Sequence, residues 1–529
     1  MKKIYSYKIF FIIFLLIYLI AGSFYSLNTG LSFDEMMEQK NWEYNIDLAQ
    51  NILFGTDLNP AHINYGSKYY GIGFQIFSQP IQFILEDVIV KFQNIDNYGA
   101  HLVAKHLAVF IFFFISGIFV YLITSKIITN SFFPSAVTIL YLLYPYMLGH
   151  GLFNPKDIPF STAWIACTYI SINIFIKLSN QISLKYKDII LISFLTAFLL
   201  SIRVSGILIF IQYFFTLILF LNIEKLRFMT FFTGNFKKFI TFVFLTVLFT
   251  YLFYPTFWKN PLLFIEAVNS MSRYYNDVCT LTLGKCMFSK NLDPLYIPIW
   301  LSVKLPLIIL IGLLLIPFTE KKIFSERVSS LAFGTILFSS IFIPIILILG
   351  KVHLYDEIRQ ILFIVPLIFI VGAVSFYYFS KKIFYILTLF TLIIFLIENI
   401  KIYPYQYVWF NTPSRFLNLT KNFELDYWGL SGRDLAKNIT IINEKVSPKP
   451  CMLLTPSWLV IPFLDKNSYK CFGIWQKIDS NYPRPFLAVQ NVRNLKKGKS
   501  YKCDSIYESK FKFLFSDENI ITGRLLRCS

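Results

Sequence analysis

The sequence predicts a polytopic α-helical membrane protein that carries a smaller α/β or mostly β domain at its C-terminal end. Hydrophobic residues make up 56% of the 529 residues and charged residues only 15%, whereas a soluble domain carries roughly a quarter charged residues. Aromatic residues alone account for 19%, which is too apolar for a disordered chain. The apolar residues recur in runs of roughly 20, the length that crosses a bilayer core.

Eleven transmembrane segments account for most of the first 402 residues. We interpret the first as a retained anchor rather than a cleaved signal peptide, because no convincing small-residue cleavage site follows it and an outer loop begins at once. The predicted segments are 8–27, 102–124, 132–149, 159–176, 188–203, 204–221, 239–254, 298–317, 329–350, 360–378 and 383–402.

Lysine and arginine outnumber aspartate and glutamate by 49 to 30, which gives a net charge of +19. No base-stacking or groove-reading module accompanies this charge, so nucleic acid is not an expected partner. The basic residues concentrate in the short connections on one side of the predicted spans, which is the positive-inside pattern. The pattern predicts a multi-pass protein of the cell inner (plasma) membrane, with a cytoplasmic N-terminus and an extracytoplasmic tail.

Two domains follow from this topology. Residues 1–402 form the transmembrane domain, whose first outer loop spans 28–101, and residues 403–529 form the extracytoplasmic domain. Short β-favouring runs separated by turn signals occur in the tail at 451–464 and 511–515.

Six of the seven cysteines fall outside the predicted spans, where an oxidising compartment favours disulfides. Cys279 and Cys286 suit a local disulfide loop. The four tail cysteines allow three pairings, and the sequence does not choose among them. A zinc site is the alternative, although the CxxC spacing typical of such sites is absent.

The first outer loop begins with two adjacent carboxylates, Asp34 and Glu35, just beyond the first span. One interpretation is structural, because acidic residues stabilise the N-terminus of a helix such as one over 36–53. The other is catalytic, because a carboxylate beside the membrane surface can take the proton of an attacking hydroxyl. The apolar spacing at 80–89 also predicts an amphipathic helix on the membrane surface.

Basic residues gather near the same outer face. Each taken singly suits a side chain that extends to the interface from a helix end, but ionisable residues at membrane depth are also candidates for function. Cations at this interface would hold the phosphate of a lipid-linked donor and stabilise its charge on departure. The second outer loop adds Asp157, held between Pro155 and Pro159. The basic candidates are Lys105, Lys156, Arg203, Lys304 and Arg359.

Short motifs near this face resemble those of a known family, both in their residues and in their order along the chain. The family is the GT-C fold glycosyltransferases of the protein O-mannosyltransferase and aminoarabinose-transferase type (glycosyltransferase family 39 and its bacterial relatives). The resemblance covers about residues 1–435. Its motifs are FDE at 33–35, NPKDIPF at 154–160, VKLP at 303–306, YDEIRQILF at 355–363, PYQYVWFN at 404–411 and DYWGLS at 426–431.

The resemblance implies that Asp34 is the catalytic base, that Glu35 shapes the site beside it and that Asp157 is the acidic residue of the second loop. It assigns the donor phosphate to Lys156, Lys304 and Arg359, and Lys105 stands where many relatives carry an arginine. Some relatives bind a divalent metal, so a metal is a candidate cofactor. Its candidate ligands are His101, His106 and His150.

The predicted activity is transfer of a hexose or pentose from a polyprenyl-phosphate donor to a hydroxyl on the extracytoplasmic face, by a single inverting displacement. The bias toward Phe, Ile, Lys and Asn is typical of an AT-rich, bacterial genome and favours a polyprenyl carrier. A protein, a lipid or a glycan of the cell envelope remains open as the acceptor. The alternatives are a transporter or flippase of lipid-linked glycans and a glycan ligase or polymerase.

Overall fold

The computed structural model describes residues 2–62, 67–130, 132–272, 277–444, 447–473, 483–491 and 503–528. Its α-helices, in chain order, are α1 Lys2–Leu27, α2 Glu35–Phe54, α3 Gly73–Gln93, α4 Asn97–Ile127, α5 Phe132–Leu143, α6 Pro145–Gly151, α7 Asp157–Ser179, α8 Tyr186–Ile202, α9 Ile209–Ile223, α10 Phe228–Leu252, α11 Pro255–Lys259, α12 Leu263–Ser272, α13 Tyr296–Lys304, α14 Leu307–Leu314, α15 Ile316–Ile323, α16 Arg327–Leu349, α17 Val365–Phe379, α18 Lys381–Lys401, α19 Leu419–Asn422 and α20 Gly432–Glu444.

The protein is an integral membrane protein built on long apolar helices. Within the described residues, eight helices are long and apolar enough to cross a bilayer. They are Tyr7–Leu27, Asn97–Ile127, Asp157–Ser179, Val204–Ile223, Phe228–Leu252, Arg327–Leu349, Arg359–Phe379 and Lys381–Lys401.

The other three predicted spans are helical too, but they are short or broken. The segment at 132–149 consists of α5 and α6, which meet at an angle of 65°. The segment at 298–317 is divided by Pro306 into α13 and α14. Proline supplies no backbone N–H and clashes with the preceding turn, so a helix bends or ends there. The segment at 188–203 corresponds to α8, which has 17 residues.

Two helices of the loop predicted to be the first outer loop, residues 28–101, lie beside the spans. The first, α2, begins directly after Asp34, and the second, α3, contains the predicted amphipathic stretch at 80–89. The buried face of α3 is polar and includes Gln75, Gln79 and Gln82, whereas apolar side chains such as Phe83 are exposed. An exposed apolar face at this position suits contact with the bilayer.

The tail forms an α/β unit, as predicted. The first two strands of the chain, β1 Cys279–Thr282 and β2 Lys285–Phe288, form a hairpin that precedes the tail. The strands of the tail are β3 Cys451–Thr455, β4 Cys471–Gly473, β5 Phe486–Asn491, β6 Cys503–Lys512 and β7 Asn519–Cys528. The sheet order is β4-β3-β5-β7-β6. Strand β3 is parallel to β4 and β5, while β7 is antiparallel to β5 and β6. Apolar residues of α20, including Leu435 and Ile439, pack in one cluster with the sheet.

The cysteines pair within local elements. The predicted disulfide between Cys279 and Cys286 closes the β1–β2 hairpin. In the tail, the pairing that the sequence left open is Cys451 with Cys471 and Cys503 with Cys528. Each tail disulfide joins residues that face each other on neighbouring strands, whereas across the hairpin Cys279 faces Phe288 and Cys286 faces Leu281.

Candidate active site

Asp34 occupies the N-cap position of α2, but its side chain forms no capping hydrogen bond with the described residues. Its Oδ2 instead accepts a hydrogen bond from Nη1 of Arg359 at 2.9 Å. The side chain of Asp34 is 34% exposed, whereas that of Arg359 is 7% exposed. A capping hydrogen bond therefore does not account for this carboxylate, which is partly exposed.

Arg359 is held by a second carboxylate from its own loop. Its Nη2 lies 3.2 Å from Oδ2 of Asp356. The backbone at Asp356 and Glu357 is left-handed, with φ values of 54° and 64°. Such conformations are costly for residues other than glycine and occur where surrounding contacts enforce them. Here the N–H of Asp356 donates to Oγ1 of Thr280 at 2.9 Å, and the hydroxyl of Tyr296 donates to the carbonyl of Glu357 at 2.9 Å.

Lys156 belongs to a second ion pair, with a residue of α2 that the sequence did not single out. Its Nζ lies 2.9 Å from Oε1 of Glu38 and 3.7 Å from the centre of the Tyr70 ring. Glu38 follows Asp34 by four residues. Because side chains four residues apart share one face of a helix, this spacing was a signal that the sequence offered.

Asp157 and Arg203 form the third pair, in which Arg203 Nη2 contacts Asp157 Oδ1. The other oxygen of Asp157 accepts a hydrogen bond from the side-chain amide of Asn154 at 2.8 Å. The side-chain carbonyl of Asn154 in turn accepts the backbone N–H of Asp157 at 3.0 Å. This local loop geometry fixes the carboxylate at the start of α7.

The three cations act together on Asp34. Burial alone would raise the pKa of the Asp34 carboxyl, but Arg359, Lys156 and Arg203 together hold that pKa below its usual value. Burial opposes the charged form of Lys156, yet Glu38 raises its pKa above the ordinary value. At neutral pH the site therefore holds an ionised, accessible carboxylate among cations.

Glu35 does not share the environment of Asp34. It is buried, and its carboxylate accepts the N–H of Ser32 at 2.7 Å. Its other oxygen lies 2.8 Å from Nε2 of His106. The opposite ring nitrogen of His106 lies 3.0 Å from the carbonyl oxygen of Ser26. These contacts join the loop before α2 to α4, so Glu35 stabilises the site from the protein interior.

The predicted metal candidates have separate partners. His101 contacts Glu86 at 2.9 Å, His106 contacts Glu35, and His150 lies 3.0 Å from the side-chain amide of Asn154. In the part of the chain that the structure describes, no three His, Cys, Asp or Glu side chains converge as metal ligands.

Lys105 and Lys304 are both buried and lie outside the three ion pairs. The Nζ of Lys105 donates to the side-chain carbonyl of Gln39 at 3.0 Å. The Nζ of Lys304 lies 2.9 Å from Glu357 and 3.8 Å from the centre of the Phe410 ring. Both of these ammonium groups contact only residues of the protein interior that the structure describes. The side chains of Lys156 and Arg203, in contrast, remain partly exposed.

Three further residues of the site, Glu38, Asp356 and Trp428, were not predicted from the sequence. Asp356 and Trp428 lie inside motifs that carry the resemblance, but no role was predicted for their side chains. The guanidinium carbon of Arg359 lies 4.6 Å from the centre of the Trp428 ring. Only the fold brings residues 34, 356 and 428 together.

No family model matches the chain, and neither does any curated protein. Among solved structures, the chain is similar to ArnT from Cupriavidus metallidurans in the apo state, with 10% identity and a TM-score of 0.47. A second similar structure is the same protein bound to undecaprenyl phosphate, with 10% identity and a TM-score of 0.46. Each alignment covers 99% of this chain and 98% of the other. At this identity and TM-score, the likeness by itself assigns neither a family nor an activity to the chain.

Proposed function

We propose that the protein is a GT-C membrane glycosyltransferase that moves a sugar from a polyprenyl-phosphate donor to a hydroxyl acceptor. The observation that carries this proposal is the accessible carboxylate of Asp34, 2.9 Å from Arg359 and under the influence of Lys156 and Arg203. A base beside several cations is what attack by a hydroxyl and departure of a phosphate require. The motifs that contain Asp34, Lys156 and Arg359 support the same family.

The reaction is a single displacement. The acceptor oxygen attacks the anomeric carbon, and its proton passes to Asp34. The bond between the anomeric carbon and the phosphate oxygen breaks, and the polyprenyl phosphate leaves with the electron pair. The cations of Arg359, Lys156 and Arg203 hold that phosphate. Attack opposite to the leaving group inverts the configuration of the sugar.

Donor binding requires the cations to exchange or share partners. Arg359 is paired with Asp34 and Asp356, Lys156 with Glu38, and Arg203 with Asp157. A phosphate that takes up part of the hydrogen-bonding capacity of Arg359 weakens its hold on Asp34. The basicity of Asp34 then rises when the donor is in place.

The proposal includes an orientation of the protein in the membrane. The active face is extracytoplasmic, the N-terminus lies in the cytoplasm, and the protein resides in the inner membrane. Carboxylates and cations gather just before α2 and α7 and just after α8, at the ends of helices. Transporters usually place such groups near the bilayer midplane and on broken helices. This placement favours transfer over transport.

The proposal is tested with a panel of polyprenyl-phosphate sugars, each labelled in the sugar, and protein reconstituted in liposomes. We expect the wild type to release the sugar of one donor and attach it to an added hydroxyl acceptor, while heat-denatured protein does not. Movement of an intact donor across the bilayer, with no release of sugar, would instead establish a transporter. Cleavage only of donors that carry whole glycans would establish a ligase.

A further inference from the structure

Trp428 lies where three loops of the candidate site meet. Its backbone carbonyl accepts the N–H of Phe33, the residue before Asp34, at 3.1 Å. Its ring faces the guanidinium of Arg359 at 4.6 Å and packs edge-on against Phe153 of the second outer loop at 5.6 Å. The side chain is 1% exposed. Trp428 therefore contacts Arg359 directly and contacts Phe33, the neighbour of Asp34.

The turn that presents Trp428 is fixed by its own contacts. Oδ1 of Asp426 accepts the N–H of Gly429 at 2.7 Å and also contacts the hydroxyl of Tyr407. Gly429 has a φ of 73°. A Cβ at that position would lie 2.8 Å from Leu459 and 3.1 Å from Phe33. Both the backbone conformation and the space therefore favour glycine directly after Trp428.

The contact between the guanidinium and the Trp428 ring constrains Arg359 in a way that its ion pairs do not. Asp34 and Asp356 fix two of the guanidinium nitrogens, whereas an aromatic face fixes the plane of the group. Cation–π contacts are strongest when both partners are shielded from water. A catalytic group must be held within about 0.5 Å of its productive position by neighbours that are themselves packed.

We propose that Trp428 is a positioning residue, which fixes the relative positions of Asp34 and Arg359 through its backbone carbonyl and its indole face. This inference rests on the proposed function of Asp34 as the base and Arg359 as a phosphate ligand. Trp428 itself contacts neither the acceptor nor the reacting bond. Its contribution is the geometry of the two groups that do.

The test compares Trp428→Met, which keeps a large apolar side chain but has no aromatic face, with Trp428→Phe, which keeps a face. Trp164→Met is the control, because Trp164 is also fully buried, packs against Phe160 and Phe363, and has no cation against its ring in the described structure. We expect Trp428→Met to lower kcat/KM about 10- to 100-fold, since displacing a reacting group by about 1 Å can cost about 100-fold. Trp428→Phe should recover most of that loss, and the control should lose less than about threefold.

A second measurement does not depend on turnover. Asp34 is modified with a carboxyl-selective reagent across a pH series, and the labelled peptide is quantified by mass spectrometry. We expect the labelling midpoint of Asp34 to move to higher pH in Trp428→Met, because a displaced Arg359 no longer lowers the pKa of that carboxyl. Trp428→Phe should return the midpoint toward that of the wild type.

The outcomes separate the two proposals. A wild type that transfers no sugar contradicts the proposed function, while the labelling midpoint still decides the role of Trp428. A folded Trp428→Met with wild-type rate and midpoint would overturn the positioning role. Equal losses in Trp428→Met and Trp164→Met would do the same. Misfolding of both Trp428 variants beside a folded control would assign the residue to stability alone.

Discussion

Asp34 carries its negative charge beside three cations, and this environment has a consequence for the dependence of activity on pH. Because Arg359, Lys156 and Arg203 lower the pKa of the carboxyl, it stays ionised as the pH falls to its ordinary pKa, about 3.9. The acidic limb of kcat/KM should therefore lie below about pH 4.

Lys156→Met removes one of these cations and should move the acidic limb to higher pH, because the pKa of Asp34 then rises. The measurement is kcat/KM across a pH series. Lys290→Met, which changes an exposed lysine, serves as the matched control and should leave the limb in place. Coincident limbs in Lys156→Met and the wild type would contradict the assigned electrostatics.

Lys304 and Glu357 form an ion pair in which both side chains are 0% exposed. Lys304→Met leaves a buried carboxylate without its cation, which typically costs about 3–5 kcal/mol. Thermal unfolding in detergent should show this loss, and Lys304→Met/Glu357→Gln should recover most of it. If the donor KM of the recovered double variant were still raised about 10-fold or more, Lys304 would be a phosphate ligand, as the family resemblance implies.

At the scale of elements, the β1–β2 hairpin supports the loop of Arg359. Its Thr280 accepts the N–H of Asp356, and its Thr282 accepts the indole N–H of Trp300 at 3.1 Å. The hairpin is closed by the Cys279–Cys286 disulfide. The strained turn at Asp356 therefore depends on a short element that a covalent bond holds together.

Replacing Cys279 and Cys286 by serine should lower kcat/KM about 3- to 10-fold, because Thr280 then holds Asp356, and through it Arg359, less firmly. Steady-state kinetics of transfer test this expectation. The matched variant replaces Cys451 and Cys471, the disulfide of the tail sheet, and should change kcat/KM less. A larger effect of the tail variant would contradict the role given to the hairpin.

Much of the arrangement of helices could be predicted from the sequence, and the reasons differ by element. Length and hydropathy were enough to place a helix at each predicted span. Continuity was harder to predict, because Pro145 and Pro306 interrupt helices whose composition alone suits a full crossing. The role of Asp34 was also open, because a carboxylate before a helix has the same sequence signature whether it caps the helix or faces a substrate. The burial of Lys304 against Glu357 could not be predicted either, because it depends on packing between segments far apart in the chain.

Over the whole molecule, the tail is joined to the membrane part through buried contacts. Arg415 forms a buried ion pair with Glu398 of α18 and donates a hydrogen bond to the carbonyl of Leu514 at 2.8 Å. The hydroxyl of Tyr405 lies 2.7 Å from that of Ser509 in β6. Side chains from 405 to 430 share one apolar cluster with the spans. The segment that follows α18 thus connects the sheet to the candidate site.

Arg415→Met should destabilise the protein by about 3–5 kcal/mol, because it leaves Glu398 buried without its cation. The matched variant is Arg327→Met, which breaks an ion pair whose arginine is 71% exposed and should cost at most about 1 kcal/mol. Thermal unfolding of the two variants in the same detergent compares them. Equal shifts would contradict the connection assigned to Arg415.

The central claim is that Asp34 takes the proton of the acceptor, and the most direct measurement is sugar transfer by Asp34→Asn under single-turnover conditions. Asp87→Asn, which changes an exposed carboxylate of the same outer loop, is the control. We predict that Asp34→Asn loses at least about 100-fold in rate, since general-base catalysis typically contributes 10²–10⁴-fold, while Asp87→Asn stays within about twofold. An Asp34→Asn variant that binds donor and transfers sugar at the wild-type rate would contradict the claim.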